Sequence, residues 1–259
     1  MKKYKVSVIM PNYNNERFIK AAIDSVIRQT YDNFELIIVD DHSIDNSTEI
    51  IDAYDDKRIK KVFVDKNVGV AEARAIGMKQ MSGTFLIFID SDDYWMQDTL
   101  RQLVAFSVAT DATLAYAGYY MVDEAGQVLQ EHSVSLTADR YSILRRCDLS
   151  CLVTIVNCSK INIPIMNSDF KREDLCFWLD ILKQVPYAYG LQRPLGFYRL
   201  HSAQSSISKM QMARANWRIM RVKLRMSYFW SLIYILVYGI NGVNKYFIQS
   251  AKRKVMEKL

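Results

Sequence analysis

The first hundred residues alternate between short β-branched runs and longer amphipathic stretches. Val6–Met10, Leu36–Val39, Val62–Val64 and Phe85–Ile89 are apolar runs too short for helices and rich in Val, Ile and Phe, so each predicts a strand. Between the first two, Phe18, Ile19, Ala22, Ile23, Val26 and Ile27 recur at helical spacing, opposite Lys20, Asp24 and Arg28. A second helix is predicted from about Asn46 or Ser47, with Ile50, Ile51 and Tyr54 facing inward, and a third from about Val70 to Met81. Strands that alternate with helices in this way predict a parallel sheet covered on both faces.

From residue 101 the pattern is less regular. A helix is predicted around Gln97–Val108, a strand at Leu114–Met121 and a turn at Asp123–Gly126. A helix over Arg140–Arg146, a strand over Leu152–Val156 and a helix from about Glu173 to Gln184 follow. No Gly-, Pro- or Ser-rich linker divides the two halves. Residues 1–208 therefore read as one domain, in which 1–100 and 101–208 are its two halves, and residues 209–259 read as a separate helical tail.

Composition sharpens that boundary. The chain has 259 residues and a net charge of +6, but residues 209–259 hold eleven Lys/Arg against the single acid Glu257, whereas residues 1–208 hold 23 against 27. An acidic body with a basic tail predicts an anionic partner for the tail. The four cysteines (Cys147, Cys151, Cys158, Cys176) form no C-x-x-C pair, which favours free thiols in a reducing compartment over a zinc site. The apolar run near the N-terminus stops at Pro11-Asn12 and is too short for a signal peptide, so the expected location is cytoplasmic.

Candidate chemistry collects at one rim. Pro11-Asn12-Tyr13-Asn14 follows the first strand, Asp40-Asp41 the second, Asp65 the third and Asp90-Ser91-Asp92-Asp93 the fourth. In an open α/β sheet, ligands bind outside the carboxyl ends of the strands. Asp90 and Asp92, two carboxylates one residue apart, suit a hard octahedral cation, Mg²⁺ or Mn²⁺, whose other positions are filled by water and substrate phosphate. Turn formation and helix capping by the same Asp and Asn residues are the plainer explanation, and suffice for Asn46 and Ser47.

Taken in order, these stretches resemble the family 2 glycosyltransferases of the GT-A fold over about residues 5–205. The resemblance is carried by Ser7–Asn14, Ser25–Tyr31, Glu35–Ser43, Asn67-Val68-Gly69 with Ala73-Arg74, Phe88–Trp95, Arg172-Glu173-Asp174 and Tyr198-Arg199-Leu200-His201. Within the family the second half is most similar to bacterial enzymes of lipopolysaccharide, capsule and teichuronic-acid synthesis. The resemblance implies an inverting transfer from a nucleotide-sugar donor to an acceptor hydroxyl of a glycan or lipid-linked glycan. It implies that Pro11 and Tyr13 line the nucleotide base, that Asp40 accepts a hydrogen bond from it, and that Arg74 lies near the ribose or diphosphate. Asp90 would contact ribose or metal, Asp92 would bind the metal, and Asp174 would be the general base. His201, after a strand, is a candidate metal ligand or a satisfied structural histidine. One position departs from the pattern, Ala75 standing where the family often has Asn.

Two rival readings fit some of the same residues. Val39-Asp40-Asp41-His42 also resembles the acidic pocket of a receiver domain, although there the acid pair follows the first strand. A non-catalytic GT-A relic is the other. No G-x-G-x-x-G follows the first strand and no Walker A stretch occurs, which disfavours dinucleotide binding and P-loop chemistry.

In the tail, Met210, Ala213, Trp217, Met220 and Leu224 recur at helical spacing, with Arg214, Arg218, Arg221 and Arg225 on the neighbouring face. This predicts an interfacial amphipathic helix. The apolar run Tyr228–Ile240 has thirteen residues, short of the ~20 that span a bilayer. A peripheral site on the anionic inner face of the cytoplasmic membrane is therefore expected. Packing on the catalytic domain or on a second subunit, as a homo-oligomer, is the alternative. Nucleic acid is disfavoured because no recognition fold accompanies the charge.

Overall fold

The computed structural model describes residues 4–146, 148–201 and 209–239. Its centre is one ten-stranded mixed sheet. Strands β1 (Val6–Asn12), β2 (Phe34–Asp40), β3 (Ile59–Phe63) and β4 (Phe85–Phe88) are joined through helices α1 (Ile19–Ile27), α2 (Ser47–Asp52) and α3 (Val70–Gln80). They pair in parallel in the order β3-β2-β1-β4. The order reverses direction at β1, and such a switch point opens a crevice at the carboxyl ends of β1 and β4. A receiver sheet has its first strand between the second and third, so the receiver reading of Asp40-Asp41 is overturned.

The pattern of burial explains why these strands form. Every residue of β1, β2 and β4 is buried, and alternate side chains enter two separate cores. Ile9, Ile37 and Phe88 meet α3 and helix α6 (Glu173–Ile181) on one face; Val8, Leu36 and Ile87 meet α1 and helix α4 (Thr99–Ala109) on the other. The edge strand β3 is only partly covered, and it starts three residues earlier than its apolar run predicts. On α3, Ala73 and Gly77 lie one turn apart on the same side, and a Cβ at Gly77 would lie 2.5 Å from Ile9 Cγ2. The small residue at 77 therefore lets this helix lie close on β1 and β2, while Ala75 is buried on a different side of the helix.

The second half extends the sheet. Strand β9 (Thr154–Asn157) runs antiparallel between β4 and β6 (Leu114–Val122). Beyond β6 lies the twelve-residue β10 (Ala188–Arg199), parallel to it and edged by β5 (Tyr94–Trp95). Strands β7 (Val128–His132) and β8 (Thr137–Ala138) pair with β6 and β10. The long β10 escapes alternation analysis because its register with β6 slips on both sides of Pro194, which resets the inward face. The strand expected at Leu152–Val156 begins instead with a 3-10 turn, Cys151–Val153, because the Ser150 side chain accepts from Leu152 N–H. The helix expected over Arg140–Arg146 is the short α5 (Ser142–Arg145), and the one expected to reach Gln184 ends at Ile181.

The tail differs most from its prediction. Helix α7 (Lys209–Arg218) passes into a π-helical turn, Ile219–Lys223, and residues 228–239 form a further helix. Along α7 and the π turn the buried positions are Asn216, Ile219 and Met220, whereas Met210 is exposed. Met220 belongs to the predicted stripe, Asn216 and Ile219 lie off it, and the wider π turn changes the helical phase from residue 219 onward. Ile219 and Met220 join the core cluster of α6, and Tyr234 and Ile235 pack against its edge. Among the described residues no helix is long and apolar enough to cross a membrane. Cys147, the serines after His201, and Ile240 with the basic residues beyond it lie outside the described residues.

Candidate active site

The rim is built first by backbone capture between loops. Asn12 Nδ2 donates to Asp40 Oδ2 at 2.7 Å, and Ser43 donates to the same carboxylate through its N–H (2.9 Å) and its hydroxyl (2.7 Å). Asn14, in the left-handed region at φ 48°, accepts from Ile44 N–H at 2.8 Å. Asp41 accepts from the N–H groups of Val68 and Gly69, and Gly69 has the positive φ (86°) that this loop requires. Asp40 is thus buried and committed to holding the β1 and β2 loops together, beside an open cleft of about 440 Å³ lined by His42, Ser43, Phe63 and Val64. Pro11 is buried at the end of β1, and Tyr13 stands exposed just beyond it.

The same β1 loop reaches the acidic turn. Asn15 Nδ2 donates to Ser91 Oγ at 2.9 Å, so the loop that carries Tyr13 is tied to both Asp40 and the Asp90–Asp93 run. Asp93 is buried under that run and its Oδ1 accepts the Arg199 N–H at 2.8 Å. Burial, and then the charges of Asp92 and Asp90, push the Asp93 carboxyl well above the carboxylate range, and its Oδ2 has no hydrogen-bond partner. Arg199 donates from Nε to Asp92 O (3.0 Å) and from Nη1 to Glu124 O (2.7 Å). The end of β10 is thereby fixed to the turn, and this places His201. Its Nε2 lies 2.9 Å from Asp92 Oδ2, while its Nδ1 is buried without a partner. Burial and the Asp90 charge raise the Asp92 carboxyl, against the hydrogen bond from His201.

A third connection links this turn to the second half. The Arg74 guanidinium is buried, its side chain only 5% exposed, with Nη2 2.5 Å from Asp90 Oδ1 and Nη1 3.5 Å from Glu173 Oε1. Burial opposes its charge, but the Asp90 carboxylate and other negative groups around it outweigh burial and keep the guanidinium protonated. Burial likewise raises Glu173, whose more distant Arg74 partner only partly offsets it. Glu173 and the half-buried Asp174 form the first turn of α6, so Arg74 joins the acidic turn after β4 to the turn that carries Asp174.

Arg74, Asp90, Asp92, His201, Glu173 and Asp174 therefore gather at the switch point, with Tyr13 and Asp40 on the adjoining loops. Residues 7–160 match the family described as Glycosyl transferase family 2. The chain belongs to that family. It is 31% identical over 93% of its length, and 96% of the relative's, to TuaG of Bacillus subtilis, a glycosyltransferase assigned to teichuronic acid biosynthesis. It is 29% identical over 95% of its length, and 96% of the relative's, to WfgD of Escherichia coli, a UDP-Glc:alpha-D-GlcNAc-diphosphoundecaprenol beta-1,3-glucosyltransferase. Among solved structures, S. aureus TarS 1–349 in complex with UDP-GlcNAc aligns with TM-score 0.68 at 22% identity, over 90% of this chain and 70% of that one. This likeness establishes the GT-A fold.

For a family 2 glycosyltransferase the fit of a divalent cation can be tested on the side chains. Among the described residues no group of three or more His, Cys, Asp or Glu could hold a metal by itself. Asp92 and His201 do converge, and their 2.9 Å separation matches two adjacent ligands of an octahedral ion, which lie about 3 Å apart when each bond is about 2.1 Å. Nε2, now hydrogen-bonded to Asp92, is the nitrogen that would turn to the cation, and Nδ1 lies on the other side of the ring. The pair fits a cation that draws its remaining ligands from a diphosphate and water.

Several residues of the glycosyltransferase site were not identified from sequence. Arg199 and Asp93 lie inside recognised stretches, but only the tertiary contact between β10 and the acidic turn shows that they brace Asp92 and His201. Arg74, expected near the donor's ribose or diphosphate, is buried between Asp90 and Glu173.

Proposed function

We propose that this glycosyltransferase moves the sugar of a UDP-sugar to a hydroxyl of a polyprenyl-diphosphate-linked glycan, with inversion, at a membrane surface. The observation that carries the reading is the Asp90–Arg74–Glu173 bridge, which sets the Asp174 turn opposite the acidic turn across one crevice. The nucleotide would lie over Pro11, Tyr13 and the cleft beside Asp40. Asp174 would take the proton of the acceptor hydroxyl; the new bond forms at the anomeric carbon as the bond to the diphosphate breaks and its electrons leave with the diphosphate. A cation held by Asp92 and His201, when bound, would neutralise the charge that builds on that leaving group. A lipid-linked acceptor is supported by the WfgD likeness and by the outer face of helix 228–239, where Phe229, Leu232 and Leu236 are all more than half exposed.

The test is a nucleotide-sugar panel headed by UDP-glucose with a polyprenyl-diphosphate GlcNAc acceptor, scoring nucleotide release and the anomeric configuration of the product. Asp174→Asn is expected to abolish transfer with UDP affinity within a few-fold, because a base acts in the transition state. Glu173→Gln, which keeps a hydrogen bond to Arg74, is expected to cost less. A retained linkage, or full turnover by Asp174→Asn, overturns the single displacement with Asp174 as base.

A further inference from the structure

The basic segment after residue 208 does more than add charge: it grips the helix that carries Asp174. Asn216 is 3% exposed, and its Oδ1 accepts from Arg172 Nη1 at 3.0 Å. Arg172 is the residue immediately before α6, so this bond holds the side chain of the residue that leads directly into Glu173 and Asp174. Two turns along the tail, Lys223 Nζ lies 2.6 Å from Asp180 Oδ2 on the same helix, with both side chains largely covered. Between these anchors Ile219 and Met220 enter the α6 core, and the ring of Phe170 lies within 6 Å of both Arg218 and Lys223.

The choice of side chains matters. A helix that merely covered an apolar surface would bury an apolar residue at 216, because an amide taken out of water is tolerated only when hydrogen-bonded. Here the buried amide accepts from the side chain of the residue that precedes α6, while Arg74 holds the next residue, Glu173, from inside. Residues 172 and 173 are thus held from two sides, by Arg74 and by the tail.

We propose that Asn216 and Lys223 are positioning residues for sugar transfer, and that the docked tail sets the orientation of Asp174 toward the donor. The proposal rests on the reading of Asp174 as general base. A misplacement of about 1 Å at a reacting group can cost on the order of 10²-fold in rate, so a loosened α6 is felt in turnover before it is felt in donor binding.

The experiment uses the full chain, with UDP-glucose and the polyprenyl-diphosphate GlcNAc acceptor for turnover and UDP titration for the donor site. Asn216→Leu, close in size but unable to accept from Arg172, is expected to lower kcat about tenfold with the UDP-glucose KM and the UDP affinity within twofold. Asn216→Asp keeps the acceptor and is expected to hold kcat within threefold of the parent. Lys223→Met should lower kcat and Lys223→Arg restore it. Parental kcat in Asn216→Leu overturns the proposal, as does an equal loss in Asn216→Leu and Asn216→Asp that follows their melting temperatures. Asp174→Asn in the same assay separates the two claims. If it turns over freely the base assignment has failed; if it is dead while Asn216→Leu is normal, only the positioning role has failed.

Discussion

Arg74→Met tests the centre of the site, because the two roles open to Arg74 make opposite demands. The substitution keeps much of the aliphatic stem and removes the guanidinium. Its removal leaves Asp90 and Glu173 facing each other's charge in a largely covered setting, with Asp90 Oδ1 losing a 2.5 Å partner and Glu173 Oε1 a 3.5 Å one. Removing one partner of a buried pair costs about 3–5 kcal/mol. Because the Asp90 side chain is 34% exposed and water can recover part of its solvation, the lower end, about 3 kcal/mol, is expected. For a chain of this size that corresponds to a drop of roughly 6–12 °C in Tm. The assay is urea unfolding without nucleotide, alongside UDP titration at a temperature where the variant is folded. The bridge predicts the stability loss together with UDP affinity within threefold. Unfolding within 1 kcal/mol of the parent, joined to a UDP affinity lowered more than tenfold, would show a guanidinium that serves the donor diphosphate and holds nothing together.

Further outcomes follow from other contacts. With two protein ligands only, Mn²⁺ alone is expected to give no thermal shift, whereas Mn²⁺ with UDP gives a larger shift than UDP alone; Asp92→Ala should remove that increment, and full turnover in EDTA would sink the metal assignment. Glu35 is buried, but hydrogen bonds from Lys60, Ser7, Ser82 N–H and Lys5 outweigh burial and hold its carboxyl far below the usual range. Its ionised form therefore contributes stability that is present above the ordinary carboxylate pKa and lost as pH falls below it. The Tm of Glu35→Gln should fall less between pH 6 and pH 3 than that of the parent, and equal slopes would refute this. Leu232→Glu with Leu236→Glu removes two exposed apolar side chains from the outer face of helix 228–239 and is expected to weaken binding to anionic vesicles at least tenfold, since each buried Leu is worth about 1.5–3 kcal/mol. High salt should release only part of the parent protein; a dimer that ignores vesicles would assign this face to a second subunit.

What the sequence determined by itself is the local and the sequential. The largely apolar runs of β1, β2 and β4, interrupted by Ser7 and Glu35, announce strands buried on both faces, since short runs of Val, Ile and Phe without a polar side suit a covered parallel sheet. The acids that end those runs announce the rim, because strand ends of a parallel sheet lie on one side. The order of Pro11–Asn14, Asp40-Asp41, Asp90–Asp93 and Glu173-Asp174 identifies the family without any coordinates. Three things were decided only in three dimensions. The pairing of Asp92 with His201 spans 109 positions in the chain and exists because Arg199 and Asp93 tie β10 to the acidic turn. Arg74 has the same local sequence whether it faces solvent or two carboxylates, and only the packing of α3 beneath the acidic turn sends it inward. In the tail, helical periodicity selects the Met210–Leu224 stripe, of which Met220 is buried and Met210 exposed, whereas Asn216 and Ile219 lie off that stripe and are buried beside the π turn and the polar anchors at Arg172 and Asp180. Periodicity records which residues share a face; which face is covered depends on the partner, and that partner is α6.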